Sequence, residues 1–221
     1  LVQLTVPTDF LNEVKNVVKK HQPELSVYQK QGIVVLEGVF VVSSPEEGPF
    51  DSFQIRAGIS PGFPEEEARV FETGKRIPRT ADRHIYPIEG HCCLCIWEEW
   101  LHTTPNPSFE NFLTGVMHDY FVSQVYFETK GDWPYGHRAH GSEGVVESFS
   151  ELLGVKPDFE IIENYLHALR LGKLKGHNDC PCGSGERIRK CHREQLKQLS
   201  ERFSKASAAA MLERLRNSRP A

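Results

Sequence analysis

Between Cys180 and His192 the chain reads C-P-C-G-S-G-E-R-I-R-K-C-H, placing three thiols and one imidazole within a short segment. Few folded states suit such crowding. Three thiolates and an imidazole supply the four soft-to-borderline ligands of a closed tetrahedral Zn2+ site. Gly183, Ser184 and Gly185 let the backbone double back between the two halves. Four protein ligands leave no position for water, so the expected role of the zinc is structural. A redox dithiol at Cys180 and Cys182 is the competing chemistry. Arg187, Arg189, Lys190 and Arg193 surround the segment. From Arg170 onward the chain carries 13 Lys/Arg against 5 Asp/Glu, whereas the preceding residues carry 13 against 25. A basic zinc module suits acidic protein surfaces, lipid headgroups or nucleic acid. No aromatic ladder for single strands accompanies it, so nucleic acid is the least supported partner and a protein-docking tail is expected.

The rest of the chain reads as a helix followed by a strand meander. Thr8 or Asp9 begins a helix whose Phe10, Leu11, Val14, Val17 and Val18 recur at helical spacing, and Pro23 ends it. Leu25 to Tyr28, Ile33 to Val42, Ser52 to Ser60 and Ala68 to Glu72 have strand character, with Ser43 to Phe50 as turn material. Ser108 caps a helix carrying Phe109, Phe112, Leu113, Val116, Tyr120 and Phe121. Further helices run from Ser142 to Leu153, from Pro157 to about Gly172 and from about His192 to Arg216. The fold class is therefore α+β. Residues 1–154 are expected to form one domain, 155–176 a connecting helix, and 177–221 the zinc knuckle with a basic helix. No apolar run approaches the roughly 18 residues of a membrane span. Adjacent Cys92 and Cys93 and the C-x-C spacing are poor material for a disulfide framework. With no export leader evident in the first residues, a reducing, cytoplasmic setting is expected.

A second cysteine group lies in His84 to Trp100, HIYPIEGHCCLCIWEEW. Cysteine is among the most buried residue types, so Cys92, Cys93 and Cys95 are each open to a packing role. Regular strand alternation would put Cys93 and Cys95 on one face and Cys92 on the other. A metal site with His84 or His91 is a further option, although C-C-x-C suits tetrahedral zinc poorly. His84 by itself reads as a structural, hydrogen-bonded histidine as readily as an acid or base.

The order of a helix, a meander leaving through FPEEEARVFETG, His84, then Gly90-His91-Cys92-Cys93-Leu94, Trp100 and a further helix resembles the ubiquitin-conjugating enzyme fold over about residues 8–154. That family places a His-Pro-Asn motif ahead of a Gly-x-x-Cys-Leu active site, with a tryptophan after it. His84 matches the motif histidine, Cys93 the nucleophile and Trp100 the tryptophan. Ile85 and Tyr86 stand where the family has Pro and Asn, so the amide that would stabilise an oxyanion is absent. Losing such a donor costs roughly 3–4 kcal/mol in other enzymes. Ile85 offers only its backbone and Tyr86 its phenol, so another donor is expected, with His91, His102, His137 and His140 as candidates. Bacterial members of the superfamily that lack the Asn include conjugating proteins of anti-phage signalling operons of the CBASS type, which this chain resembles.

The resemblance implies a cysteine acyltransferase. Cys93 would take the C-terminal carboxyl of a partner protein as a thioester and pass it to an acceptor lysine. In the systems resembled, that partner is a cGAS-like nucleotidyltransferase. The chain has no Gly-rich nucleotide loop, so an upstream activator is expected. The implied catalytic set is Cys93 with His84, His102 and His140, and Glu98 and Glu99 are expected to help take a proton from the incoming amine. The downstream segment resembles the SEC-C motif, which implies Cys180, Cys182, Cys191 and His192 as zinc ligands. Two other functions remain open at this stage. The missing Asn suits a catalytically inactive adaptor that docks through its basic zinc tail, and the clustered thiols suit a redox sensor.

Overall fold

The computed structural model describes residues 5–134 and 141–219, which fall into two compact units, 1–137 and 138–221. The fold is α+β, with four antiparallel strands in the first unit and helices in both. No described helix is long and apolar enough to cross a membrane.

The first unit opens with α1 (Thr8–His21), whose Val14 and Val18 are buried. Burying each contributes about 1.5–3 kcal/mol. The chain then turns at Gln22, where the side-chain amide donates to Val41 O at 2.9 Å and its oxygen accepts from Val41 N–H at 2.8 Å. That reciprocal pair satisfies a backbone unit that the neighbouring strand does not reach. The sheet is a meander in the order β1 (Leu25–Lys30), β2 (Ile33–Ser44), β3 (Gly48–Ile59) and β4 (Arg69–Glu72). The strands extend further into the expected turn of residues 43–50 than the composition suggests. The turn itself is closed by Ser44 Oγ, which accepts from Glu47 N–H at 3.0 Å.

Period-2 alternation determines which side is core. Val34, Leu36, Phe40 and Val42 on β2 face the same way as Phe53, Ile55, Ala57 and Ile59 on β3, and all are buried. Cross-strand pairs such as Phe40 with Phe53 and Val34 with Ile59 bring these side chains into register. A helical run covers this face: α3 (Phe109–Asn111), a π turn (Phe112–Val116) and α4 (Met117–Lys130). Ser108 caps it, as its sequence position suggests, and Phe121 seats its ring 5.0 Å from Phe40 and 4.8 Å from Phe53. Phe63 gathers a second aromatic cluster, with Trp97 at 5.8 Å and Phe112 at 5.7 Å. Trp97 and Trp100 belong to α2 (Trp97–Thr103).

The second unit contains α5 (Gly141–Leu153), α6 (Phe159–Leu171), α7 (Arg193–Arg202), α8 (Lys205–Ser218) and the cysteine knuckle. Its boundary falls at 137/138 rather than at residue 154, because α5 packs on α6 and α8. Residues 155–176 are likewise more than a connector: Ile162, Tyr165, Leu166 and Leu169 of α6 are buried core. The single polar helix expected over His192 to Arg216 is two helices. Phe203, 3% exposed, pins the corner, and Ser204 Oγ accepts from Ser207 N–H at 3.0 Å to start α8. Ala208, Met211, Leu212 and Leu215 then form a buried stripe on α8.

Gly38 is the tightest backbone approach in the sheet. Its φ is +139°, and a Cβ there would sit 2.6 Å from Glu24 O. Gly38→Ala is expected to cost about 3 kcal/mol, whereas Gly48→Ala, at φ +75° with open space around it, costs about 1 kcal/mol. Urea unfolding of the two variants checks the difference.

Candidate functional site

Residues 84–93 form a very short hairpin. Ile85 and Cys92 pair as an antiparallel bridge, Tyr86 N–H donates to His91 O at 2.9 Å, and Cys93 N–H donates to His84 O at 2.7 Å. Gly90, at φ +77°, closes the turn by donating to Tyr86 O at 2.7 Å. Alternation then separates two faces. Ile85 and Cys92 point inward, at 2% and 4% exposure, and belong to the core. His84, Tyr86, His91 and Cys93 take the alternate positions and are all half-buried. Cys92 N–H donates to Val70 O at 2.7 Å, which docks the hairpin onto β4.

The entry to this hairpin is held from α4. Arg83 donates through Nε and Nη2 to Gln124 Oε1 at 3.1 and 2.8 Å, and Gln124 Nε2 donates back to Arg83 O at 2.9 Å. Tyr120 Oη donates to His84 O at 3.1 Å. These bonds hold His84 in a left-handed conformation, φ +48°, that a non-glycine residue rarely adopts. Its ring stands edge-on to Trp133 at 4.6 Å and 87°.

The two neighbouring thiols have different surroundings. Burial pushes the Cys92 thiol up to about 12, against a hydrogen bond from Tyr120 that acts the other way. Cys92 is therefore a packed, inert thiol at neutral pH. Cys93 Sγ instead lies 3.8 Å from Tyr86 Oη, and the Tyr86 ring stacks on His91 at 4.3 Å and 23°. Cys95 is half-buried and packs at the edge of the core. The segment Cys92 to Ile96 makes no further ladder, so the strand alternation considered for Cys93 and Cys95 does not apply beyond the single bridge.

The described histidines named from sequence lie in different settings. His84 meets Cys93 through its backbone, while its ring contacts Trp133. His91 lies beside Tyr86. His102 is half-buried in the last turn of α2. His137 and His140 lie outside the described residues. Glu98 and Glu99 occupy the first turn of α2, with Glu98 buried at 8% exposure. Tyr86, which in sequence offers only a phenol, is a side chain that the described residues bring to the sulfur. Its signal was the register: pairing Ile85 with Cys92 across Pro87 to Gly90 puts positions 84, 86, 91 and 93 on one face.

In the second unit, Cys180, Cys182, Cys191 and His192 converge, with all four ligand atoms within 4.8 Å of one another. Cys182 Sγ and Cys191 Sγ are 3.6 Å apart, and His192 Nδ1 lies 3.3 Å from Cys180 Sγ and 3.1 Å from Cys191 Sγ. A tetrahedron of bonds about 2.0–2.3 Å long has edges of about 3.3–3.8 Å, and donor separations of 3.1–3.6 Å lie close enough to that range for the set to hold a metal ion with small shifts. Gly183 and Gly185, at φ +78° and +75°, make the return that brings the two halves together. Cys180 N–H donates to Glu186 O at 2.8 Å, and Asp179 pairs with Arg187 across the loop at 2.7 Å. Burial raises the Cys180 thiol to about 11. At Cys182 burial also opposes ionisation, but hydrogen bonds from Ser184 and then from Cys180 and Cys191 outweigh it, bringing the thiol down to about 6.

Comparison with family models, curated proteins and solved structures gave no match. The two sites therefore rest on their own geometry.

Metal binding at the knuckle must displace protons, since thiolates are the ligands. Burial holds the Cys180 thiol up, so binding must draw a proton from it, while hydrogen bonds bring Cys182 down. Apparent affinity for a borderline divalent ion is expected to rise at least about tenfold per pH unit from about pH 6 to 8. Competition with a chelator across that range measures it; a flat profile contradicts the thiolate assignment.

Proposed function

We propose that the chain is a ubiquitin-conjugating-like acyl carrier with a zinc-closed tail. Cys93 takes the C-terminal carboxyl of a partner protein as a thioester, then yields it to a lysine amine on an acceptor. The observation that carries this reading is the sorting of two adjacent thiols. Cys92 is sealed in the core, and Cys93 stands half-exposed on the polar face of the hairpin beside Tyr86 and His91.

The chemistry follows from sulfur. A thiol attacks an activated acyl carbon readily, and the thioester it forms stays reactive toward amines. Cys93 is half-buried, neither sealed in the core as Cys92 is nor fully exposed. Activation of the carboxyl falls to an upstream protein. The resemblance to conjugating proteins of CBASS-type operons supports a cytoplasmic setting and a cGAS-like nucleotidyltransferase as the protein carried.

At the knuckle, Cys180, Cys182, Cys191 and His192 would hold Zn2+, the metal whose preferences match three thiolates and one imidazole. The ion supplies a cross-link that fixes the loop. With all four positions filled by protein, its role is structural. Arg187, Arg189, Lys190 and Arg193 then present positive charge from a rigid base, suited to an acidic protein surface.

The test is a non-reducing gel of the chain produced with its genomic neighbours. A higher-mass band that collapses on adding thiol is expected. It should disappear in Cys93→Ala and become resistant to thiol in Cys93→Ser, where an oxygen ester replaces the thioester. A band that persists in Cys93→Ala, or no band in the unaltered chain, contradicts the proposal.

A further inference from the structure

Residues 74–83 carry three arginines at the approach to the hairpin, and the structure uses two of them internally. Arg76 donates to the two oxygens of Asp51 at 2.6 and 2.7 Å and to Glu128 Oε2 at 2.6 Å. Arg83 is taken up by Gln124 and Glu128. Arg79 is exposed, and among the described residues its guanidinium has no hydrogen bond, ion pair or ring contact. We propose that Arg79 binds a carboxylate on the tail of the protein that Cys93 carries, at the third or fourth residue from the joined end. The inference rests on the acyl-carrier reading and adds to it a residue that selects the tail.

Placement carries the inference. The Arg79 guanidinium lies over Gly90: a Cβ at that position would stand 3.0 Å from both its Cζ and its Nη1. Gly90 is buried, at φ +77°, and the cation covers the turn of the hairpin that carries Cys93. Glu89, next in the chain, is exposed and does not pair with it. The backbone on either side is held. Ile77 is core, at 3% exposure, and Thr80 O accepts from Arg83 N–H at 3.1 Å and from Ile85 N–H at 3.2 Å. The side chain therefore springs from a fixed base, which lowers the ordering cost of binding.

The chemistry of the group names its ligand. A guanidinium has five N–H donors and no acceptor, and its planar fork matches a carboxylate. The carried molecule is a polypeptide, whose anions are Asp and Glu. Gly90 precedes Cys93 by three residues, about 10 Å along extended chain. A tail joined at Cys93 and running beside the hairpin toward its turn covers that length in about three residues. Residues 1–169 carry 25 Asp/Glu against 13 Lys/Arg, so the surroundings as a whole do not attract an acidic tail. A preference for one must come from a local cation, and must depend on where the acid stands in the tail.

The experiment uses the full chain and short acetylated peptides ending in an ethyl thioester, below saturation. Each peptide is neutral except for one Asp, moved from the second to the sixth residue from the thioester end, with an Asn control at each position. Cys93 Sγ bonds to the acyl carbon, the bond from that carbon to the ethanethiol sulfur breaks, and ethanethiol leaves with the proton Cys93 gave up. Mass spectrometry of the peptide containing Cys93 follows the rate. Asp at the third or fourth residue is expected to raise the rate over its Asn control by about fivefold, and high salt to remove the gain. Arg79→Gln is expected to lose the gain while its rates with the Asn peptides stay within about twofold of the unaltered chain. No gain at those positions, or a gain that survives in Arg79→Gln, overturns the inference and leaves the carrier reading standing. Equal slowing of Asp and Asn peptides in Arg79→Gln also overturns it, because the arginine then supports the hairpin rather than the tail. No acylation of Cys93 by any peptide in the unaltered chain overturns both the inference and the carrier reading.

Discussion

One backbone bridge decides how this protein presents its sulfur. Ile85 pairs with Cys92, and Cys92 N–H reaches Val70 O on β4. Because side chains alternate along an extended strand, that pairing sends Ile85 and Cys92 inward and leaves positions 84, 86, 91 and 93 on the other face. A slip of one residue would bury Cys93 and expose Cys92. The register is guarded from both sides. Val70 belongs to a strand whose own partner, Ala57, lies in the fully buried face of β3, and α4 grips the hairpin entry through Tyr120 and Gln124. Gln124 is fully buried, so breaking its bonds to Arg83 would strand an amide in the core at a cost of about 1–3 kcal/mol.

The six cysteines fall into three physical situations. Cys92 is sealed in apolar surroundings that suppress its ionisation. Cys93 sits at the margin, close to hydrogen-bonding side chains. The knuckle cysteines gather with His192, and hydrogen bonds from a serine and from one another favour the thiolate at Cys182. The first serves packing, the second suits covalent chemistry, and the third suits a metal ion. The amino acid is the same in each case; burial and hydrogen bonding make the difference. Each unit of the chain thus carries one sulfur-based feature, with its own core beneath it.

Much of this was legible in the residues. The alternation in β2 and β3 marked the sheet, the Phe109 to Phe121 stripe marked the helix that covers it, and Ser108 marked its start. The knuckle could be read because its ligands are close in sequence and separated by glycines. The parts that escaped depend on long-range packing. The pattern of α5 alone fits an extension of the first domain; its packing on α6 and α8 places it in the second unit. The corner at Phe203 interrupts a pattern that remains helical on either side, and only burial of the ring explains why the chain bends there. The place of Tyr86 beside the sulfur depends on which residue faces which across a turn. The chemistry of the side chain does not reveal that.

The central claim is that residue 93 is where another protein's terminus becomes attached. It is tested most directly by a Cys93→Lys chain, whose product would be an amide rather than a labile thioester. Purified from the cells that naturally make the protein and digested, this variant is predicted to yield a branched peptide joining position 93 to the C-terminal carboxyl of a second protein. An unmodified position 93, or an attached group that is not a protein C-terminus, would contradict the account.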